Sequence, residues 1–447
     1  MSEPTAAEQF ADWTYHPELL ARPVPRYTSY PTAAEFVEES FEARQRAALE
    51  RLSGPVSIYL HIPYCEEICW YCGCNTGAAN KRHRLTAYLE ALHREIALVA
   101  DMLDPSVRIE HIAFGGGSPN AVPPTEFVRL IDALVLGFRF VRPALSVELD
   151  PRTLTRDWLT AIRGIGVTRV SLGVQTLNPA VQEAIGRVQP IEMIERAVEG
   201  LRAAKVGSIN FDLMYGLPHQ TDDVLAETLA QTAAMAPERI ALFGYAHVPH
   251  LIPRQRRIDG SDLPDQRGRF RMAAMGARQL MDAGYQAVGF DHFARPDDSL
   301  AVAARNGSLR RNFQGFTSDP SPVLIGLGAS AISEMPGVMV QNEKNPGRYR
   351  MLIGADQLAG HKGLETTAED ARRAAVIEAL LCKGAARIEP DLLNAARARL
   401  EPFMAAGLIT CERGWLRLEP GAAPYARAIA SVFDAYRTDE RSFSSAI

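Results

Sequence analysis

"YLHIPYCEEICWYCGCN", Tyr59–Asn75, joins a short β-prone run to a loop that holds four of the chain's six cysteines. Cys65, Cys69, Cys72 and Cys74 lie within ten residues, while Cys382 and Cys411 stand apart near the C-terminus. A predicted strand, Ile58–His61, therefore ends in reactive side chains. Whether other strands end the same way decides the fold.

They do. Predicted strands follow at Ile109–Phe114, Leu145–Leu149, Arg169–Leu172, Ile209–Leu213 and Ile240–Tyr245. Amphipathic stretches such as "RLTAYLEALHREIALVADML", "TEFVRLIDALVLGF", "PIEMIERAVEGLRAAK" and "DDVLAETLAQTAAM" separate them, with apolar residues at helical spacing. This alternation predicts βαβ units and a parallel sheet. The second strand runs into "GGGSP", and Glu148 and Asp150 close the third. Gln175 follows the fourth, Asp212 lies at the end of the fifth, and "YAH" ends the sixth. Polar or glycine-rich groups at one end of every strand are the mark of a (β/α) barrel, whose chemistry sits at the carboxyl ends. A doubly wound sheet would gather them at one switch point. The predicted fold is α/β, a partial barrel of six units.

Past about Arg350 the pattern changes. "TAEDARRAAVIEALLCKG" reads as a helix capped by Thr367 with Asp370 three positions on. "EPDLLNAARARLEPFMAAGLI" reads as a second helix, and "TCERGWLRLEP" as a hairpin turning at Arg413–Gly414. The chain thus divides into an N-terminal extension over 1–50, a catalytic barrel over 51–350 and a mainly helical, winged-helix-like domain over 351–447. That last domain lacks a basic recognition helix, so no nucleic-acid partner is expected.

The 447 residues carry a formal net charge of −5, which gives no general attraction to nucleic acid or anionic membranes. No apolar run approaches the roughly 20 residues that span a bilayer. The N-terminus lacks the basic-then-apolar order of a signal peptide. The expected location is the cytoplasm, where thiols stay reduced and clustered cysteines serve metals or catalysis.

Cys65, Cys69 and Cys72 have C-x3-C-x2-C spacing. Structural zinc takes four ligands, usually as two pairs, and no second pair lies nearby. Three thiolates suit zinc, copper(I) or an iron–sulfur cluster. A [4Fe–4S] cube held by three cysteines keeps one iron open. A zinc loop or a set of redox-sensing thiols is the plainer alternative. Cys74 reads as a small packing residue whose side chain points away, and Cys382 and Cys411 as core packing.

C-x3-C-x-aromatic-C, with Tyr71 as the aromatic, resembles the signature of the radical S-adenosylmethionine (SAM) enzymes. Over nearly the whole chain the sequence resembles the oxygen-independent coproporphyrinogen III oxidases. The likeness lies in "PRYTSYPTA", "YLHIPYCEEICWYCGCN", "FGGGSPN", "ELDPR", "GVQTLNPAVQEAIGRVQ", "DLMYGLPHQT", "GYAHVP", "GFDHFARPDD", "RNFQGFT" and "GLGASAIS". The resemblance implies that Cys65, Cys69 and Cys72 ligate iron and that two SAM molecules bind. Tyr59, Gly116, Glu148, Ala246 and Ile332 would contact the first. Tyr71, Gly117, Ser118, Gln175, Arg187 and Asp212 would contact the second. Each also has a simpler reading: tight-turn glycines, capping or ion-paired carboxylates, a solvated arginine, a packed strand tyrosine. Arg187 is expected to fork onto a methionine carboxylate. The basic residues Arg26, Arg254, Arg256, Arg257, Arg310 and Arg311 are expected near an anionic substrate.

The chemistry so implied is oxidative decarboxylation. The reduced cluster splits SAM, and the 5′-deoxyadenosyl radical takes hydrogen from the β-carbon of a propionate. Loss of carbon dioxide and an electron leaves a vinyl group. Two such events turn coproporphyrinogen III into protoporphyrinogen IX in heme biosynthesis. The partners implied are that substrate and an unidentified electron donor, with the chain acting as a monomer. Four positions depart from the family pattern: Ser118 for Thr, Thr176 and Leu177 after "GVQ", and Val323 where an acid is usual. The alternatives are a heme chaperone, which lacks the "PRYTSYPTA" and "NFQGFT" stretches, and another tetrapyrrole-modifying enzyme on the same scaffold.

Overall fold

Alternating burial explains both the sheet and the space inside it. A computed structural model describes residues 13–79, 82–138, 142–313 and 315–437. Six strands lie side by side in chain order, all parallel: β1 (Pro55–Ile62), β2 (Arg108–Gly116), β3 (Ala144–Leu149), β4 (Arg169–Gln175), β5 (Ser208–Tyr215) and β6 (Arg239–Gly244). Along β3 to β5 one face is buried throughout, as with Val147, Leu172 and Phe211. The other carries partly open polar residues such as Glu148, Ser171 and Asp212. The apolar face packs under the connecting helices. The polar face turns inward, onto a cavity of about 310 Å³. A closed eight-stranded barrel fills this space with branched apolar side chains; here polar inward positions keep it open.

The helices Arg82–Met102, Pro124–Phe138, Ile191–Ala203 and Asp222–Met235 fall between the strands as the periodicity predicts, and Arg156–Ile165 adds one between β3 and β4. Their ends follow capping rules. Thr155 accepts from the Trp158 N–H and Thr221 from the Val224 N–H. Gly166, at φ 79°, ends the helix before β4.

The sheet continues beyond the six units and has thirteen strands in all. Leu324–Leu327 adds a seventh parallel strand beside β1, followed outward by antiparallel strands Ile332–Met335, Val338–Asn342 and Gly360–Glu365. On the far edge β6 pairs antiparallel with His292–Ala294, which pairs with Gln286–Val288. The two edges do not meet, so the barrel is partial. Val323, in place of the usual acid, is buried where the chain enters the seventh parallel strand, and its carbonyl accepts from the Ser57 N–H at 2.9 Å. An acid four residues earlier secures this loop: Asp319 accepts from the Ser57 hydroxyl and lies 2.9 Å from His111 Nδ1.

The main sheet runs through Gly360–Glu365, and Val37–Glu38 pairs with this last strand. "GHKGLE" has neither apolar alternation nor β-branched residues, so it reads as loop. Beyond it the capping box of Thr367 and Asp370 opens the helix Ala368–Lys383. The helix Pro390–Ala405 follows, then a hairpin, Ile409–Glu412 with Trp415–Leu418. Arg413 (φ 51°) and Gly414 (φ 80°) make its turn. Ala385–Arg387 completes a three-stranded sheet.

The N-terminal segment crosses from the barrel to this C-terminal region. Tyr425 Oη donates to the Thr14 carbonyl and accepts from the His16 N–H. Tyr27 donates to Asp434, and Gln266 to the Leu20 carbonyl. Residues 1–12 and 438–447 lie outside the described residues, as does Gln314 of "NFQGFT". Among the described residues no helix is long and apolar enough to cross a membrane.

Candidate active site at the strand ends

The loop after β1 is closed at its base. Tyr64–Cys65 pairs with Gly77–Ala78, and the Ala79 N–H donates to the Cys65 carbonyl at 2.8 Å. Trp70 anchors the far side: its N–H donates to the Ile185 carbonyl at 3.1 Å. Its indole lies so close to Gly186 that an added Cβ would come within 2.7 Å. Gln255 holds the Tyr71 carbonyl at 2.8 Å. Cys65, Cys69 and Cys72 thereby line one cavity of about 200 Å³, with Cys69 buried and the other two partly so.

Eleven of the fourteen residues singled out from the sequence meet at this cavity: the three cysteines, Tyr71, Gly116, Gly117, Ser118, Glu148, Gln175, Arg187 and Asp212. The glycines are required by crowding. A Cβ on Gly116 would lie 2.4 Å from the His61 ring, and one on Gly117 2.5 Å from the Tyr64 carbonyl. Gly116 also has φ 107°, which an L side chain rarely adopts. The turn is fixed to the cysteine loop by the Ser118 N–H, which donates to the Tyr64 carbonyl at 2.8 Å. The Ser118 hydroxyl bonds Asn120 at 2.6 Å. Gln175, the last residue of β4, is left-handed at φ 65°. The sheet register shifts there, which re-aims the strand end.

Three residues lie elsewhere. Tyr59 packs with Ala113, Leu324 and Ala331 under Phe313, and its hydroxyl meets His61 Nδ1 at 3.2 Å. Ala246 lines a separate cavity beyond β6. Ile332 begins a strand whose backbone packs on Gly326.

Cys74 departs from its expected place. It is exposed, not buried, and borders the same cavity. Its thiol donates to Cys72, which holds Cys72 toward thiolate and Cys74 toward thiol. Burial pushes Cys65 up to about 12. Cys382 is packing, as expected, in a small cluster with Phe316 and Leu309.

The electrostatic centre includes two residues that sequence reasoning gave no role. Asp150 is buried between two guanidinium groups. Arg152 Nη2 lies 2.7 Å and Arg187 Nη2 3.2 Å from its oxygens. The same two arginines point at one sulfur, Arg187 Nη1 at 3.3 Å and Arg152 Nη2 at 3.5 Å from Cys69 Sγ. Every nitrogen of Arg187 has a partner: Nε and Nη2 bond the Gly173 carbonyl, and Nη1 and Nη2 reach Asp150 and Cys69. The expected fork onto a methionine carboxylate would therefore compete with Asp150. The signal for this hub was the turn "DPR", in which Asp150 caps its own Arg152 N–H.

Opposite stand two acids. Burial and then the charge of Asp212 raise Glu148 to about 7, against the Gly116 N–H that bonds it. Burial also raises Asp212, opposed by Ser171 and Asn210. A carboxyl raised in the folded state favours folding below its unfolded pKa and loses that advantage as pH rises through the folded value. Glu148→Gln should therefore match the parent near pH 4.5 and exceed it in stability by about 2–3 kcal/mol at pH 8, at about 1.4 kcal/mol per unit. Urea unfolding of metal-free protein at both pH values measures this; equal stability at pH 8 would show Glu148 is well solvated.

The basic residues expected near substrate divide. Arg310 and Arg311 serve the fold: Arg310 pairs with Glu378, and Arg311 bonds the Tyr27 carbonyl and stacks on Phe316. Arg254 bonds Thr76 at the cysteine loop, Arg257 lies over Trp70, and Arg256 bonds the Pro249 carbonyl. Arg26 faces another cavity, over Phe243.

The donor set fits a cluster better than a single ion. Among the described residues no three His, Cys, Asp or Glu groups come together closely enough to grip one metal ion. Three thiols around an open cavity match a larger inorganic body with soft, iron-type sites.

Residues 59–231 match the model of the radical SAM superfamily. The oxygen-independent coproporphyrinogen III oxidase of Bradyrhizobium diazoefficiens is 43% identical over 427 residues, spanning 92% of this chain and 94% of that one. The enzyme of the same name from Pseudomonas aeruginosa is 38% identical, spanning 92% and 93%. The solved structure of coproporphyrinogen III oxidase (HemN) from Escherichia coli, a radical SAM enzyme, aligns with a TM-score of 0.90 at 34% identity, over 95% of this chain and all of that one. With its partial barrel, its cysteine loop after β1 and these relatives matched from end to end, the chain belongs to the oxygen-independent coproporphyrinogen III oxidase family of radical SAM enzymes.

Proposed function

We propose that this protein oxidatively decarboxylates two propionate side chains of coproporphyrinogen III to vinyl groups without oxygen, giving protoporphyrinogen IX. The observation that carries the reading is the cavity at the strand ends, where three cysteines face a carboxylate pair across a buried guanidinium hub. Cys65, Cys69 and Cys72 hold a [4Fe–4S] cluster, and SAM binds beside it. When bound, the pair supplies one-electron cleavage of the sulfonium and hydrogen abstraction from the propionate β-carbon. Each propionate then gives up one hydrogen atom, one electron and carbon dioxide.

This chain's residues bind and orient those groups. Gly116 and Gly117 leave backbone bare beside the cavity. Glu148, whose carboxyl is raised by burial and by Asp212, would be drawn toward its ionised form by the positive charge of a bound SAM. With Tyr59, Ala246 and Ile332 it serves a first SAM. Tyr71, Gly117, Ser118, Gln175 and Asp212 serve a second, and Arg187 lends it positive charge while staying tied to Asp150 and Cys69. Arg152 and Arg187 both reach Cys69 Sγ, at 3.5 and 3.3 Å. The barrel-interior cavity shares Glu148, Ser171 and Asp212 with the cysteine cavity, so a substrate there adjoins the reactive group. The enzyme works as a cytoplasmic monomer served by a one-electron donor.

Reconstituted anaerobically with iron and sulfide, then given reductant, SAM and coproporphyrinogen III, the protein should release two carbon dioxide molecules per substrate. The product should oxidise to protoporphyrin IX. SAM cleavage with coproporphyrinogen III untouched would sink the substrate assignment, and tight heme binding without turnover would favour a chaperone.

A further inference from the structure

A second charged cavity lies beyond β6, walled by three parts of the chain distant in sequence. Arg26 comes from the N-terminal segment, Arg269 from the helix Gln266–Asp282 and Arg427 from the helix Ala426–Ala430. One carboxylate faces these three guanidinium groups, Asp291, and it is held 2.6 Å from His292 Nδ1. Among the described residues neither Arg26 nor Arg269 pairs with a carboxylate, and the buried Nε of Arg269 has no acceptor. Burial and the neighbouring Arg26 push Arg427 down to about 10, and burial lowers Arg269 as well. Like charges gathered in a half-buried space cost stability unless an anion joins them.

The walls narrow the choice of anion. Arg26 lies over Phe243 and Arg427 over Phe290, each ring face about a guanidinium's stacking distance away, at 5.6 and 5.5 Å. Gly244, at the end of β6, makes room for Tyr215 and Arg269: a Cβ there would sit 2.9 Å from the Tyr215 hydroxyl and 3.1 Å from Arg269 Nη2. A bare inorganic anion would meet the cations alone, while the rings stay against their guanidinium neighbours, Phe290 under Arg311 as well at 4.9 Å. A carboxylate carried on a pyrrole ring uses both. Phe243 also lines the barrel-interior cavity, which shares Glu148 and Asp212 with the cysteine cavity. The arginine cavity therefore adjoins the barrel-interior cavity, and that one the cysteine cavity.

We propose that Arg26, Arg269 and Arg427 form a carboxylate subsite that grips a propionate of the tetrapyrrole remote from the one being decarboxylated, with Phe243 and Phe290 against its pyrrole. This rests on the substrate class assigned above and adds where that substrate is held.

Fluorescence titration of the anaerobic holoenzyme with coproporphyrin III, its tetramethyl ester and inorganic phosphate tests it. The parent should bind the tetra-acid well and the ester poorly, with phosphate a weak competitor. R26Q, an exposed position that spares the fold, and R269Q should each weaken tetra-acid binding about tenfold to a hundredfold. The KM for coproporphyrinogen III should rise alongside while iron per chain stays at the parent level. Parent-like affinity in both variants, from a parent that still prefers acid to ester, overturns the subsite and leaves the reaction standing. Phosphate competing as strongly as the tetra-acid would make this a plain anion site and also overturns it. A parent that neither binds nor converts the tetrapyrrole removes the reaction and the subsite together.

Discussion

Cys65→Ser, Cys69→Ser and Cys72→Ser should each lose essentially all cluster iron, where the parent holds about four irons per chain after anaerobic reconstitution. The broad brown absorption should vanish with it. Serine's hydroxyl is too weakly acidic to replace a thiolate on iron at neutral pH, and the one further thiol lining the cavity, Cys74, is not expected to take over as a ligand. The effect should be largest at Cys69, which is buried and faces two guanidinium groups. Cys382→Ser, in a separate apolar cluster, should keep the iron. Cys74→Ala discriminates more finely. Its thiol touches Cys72 and borders the cavity, yet if it only hydrogen-bonds, iron content should fall little. Stoichiometric zinc with no iron uptake in the parent would overturn the cluster assignment.

Asp150→Ala should cost about 3–5 kcal/mol of stability, because it strips a buried anion from between Arg152 and Arg187 and leaves both cations facing each other. Against a total of about 5–15 kcal/mol for a folded domain, that is a large share. Asp150→Asn should cost less, since the amide keeps an acceptor for one arginine. Urea unfolding of metal-free protein measures both. The double change Asp150→Ala with Arg152→Ala should recover part of the loss, since one of the opposed cations goes too. A single Asp150→Ala change that unfolds at the parent's urea concentration would mean that water already screens the hub.

The barrel was readable because its apolar face repeats with period two and its connecting helices with period 3.6. Val147, Leu172 and Phe211 announce themselves, and the acids Glu148 and Asp212 stand out by breaking the run. Cys65, Gly116, Gly117, Ser118, Glu148, Gln175 and Asp212 lay within a few positions of a strand end, where the barrel geometry brings them together, while Cys69, Tyr71, Cys72 and Arg187 lie farther along the connecting loops. Arg152 was not readable: an arginine two residues past an aspartate looks like any solvated turn, and only the fold brings Cys69 to it. Arg26, Arg269 and Arg427 are farther still from recognition, since nothing local relates them. The strand Gly360–Glu365 was missed because glycines and charges suit an edge of the sheet next to the short Val37–Glu38 but carry no alternation. Cys74 was misplaced because sequence spacing does not fix which way a loop side chain turns.

The stitching of the N-terminal segment to Tyr425 also sets an order in time. Everything around the cysteine cavity lies between Tyr59 and Gln255, whereas the arginine cavity needs Arg26 and Arg427 together. Chains fold from the N-terminus as they leave the ribosome. Arg26 emerges among the earliest residues and must wait for nearly the last before its cavity has a wall, because Tyr425 is what fastens Thr14 and His16 in place. The residues that line the cysteine cavity can thus be synthesised well before Arg427 completes the arginine cavity, so the place for the metal can be laid down ahead of the place for the remote carboxylate.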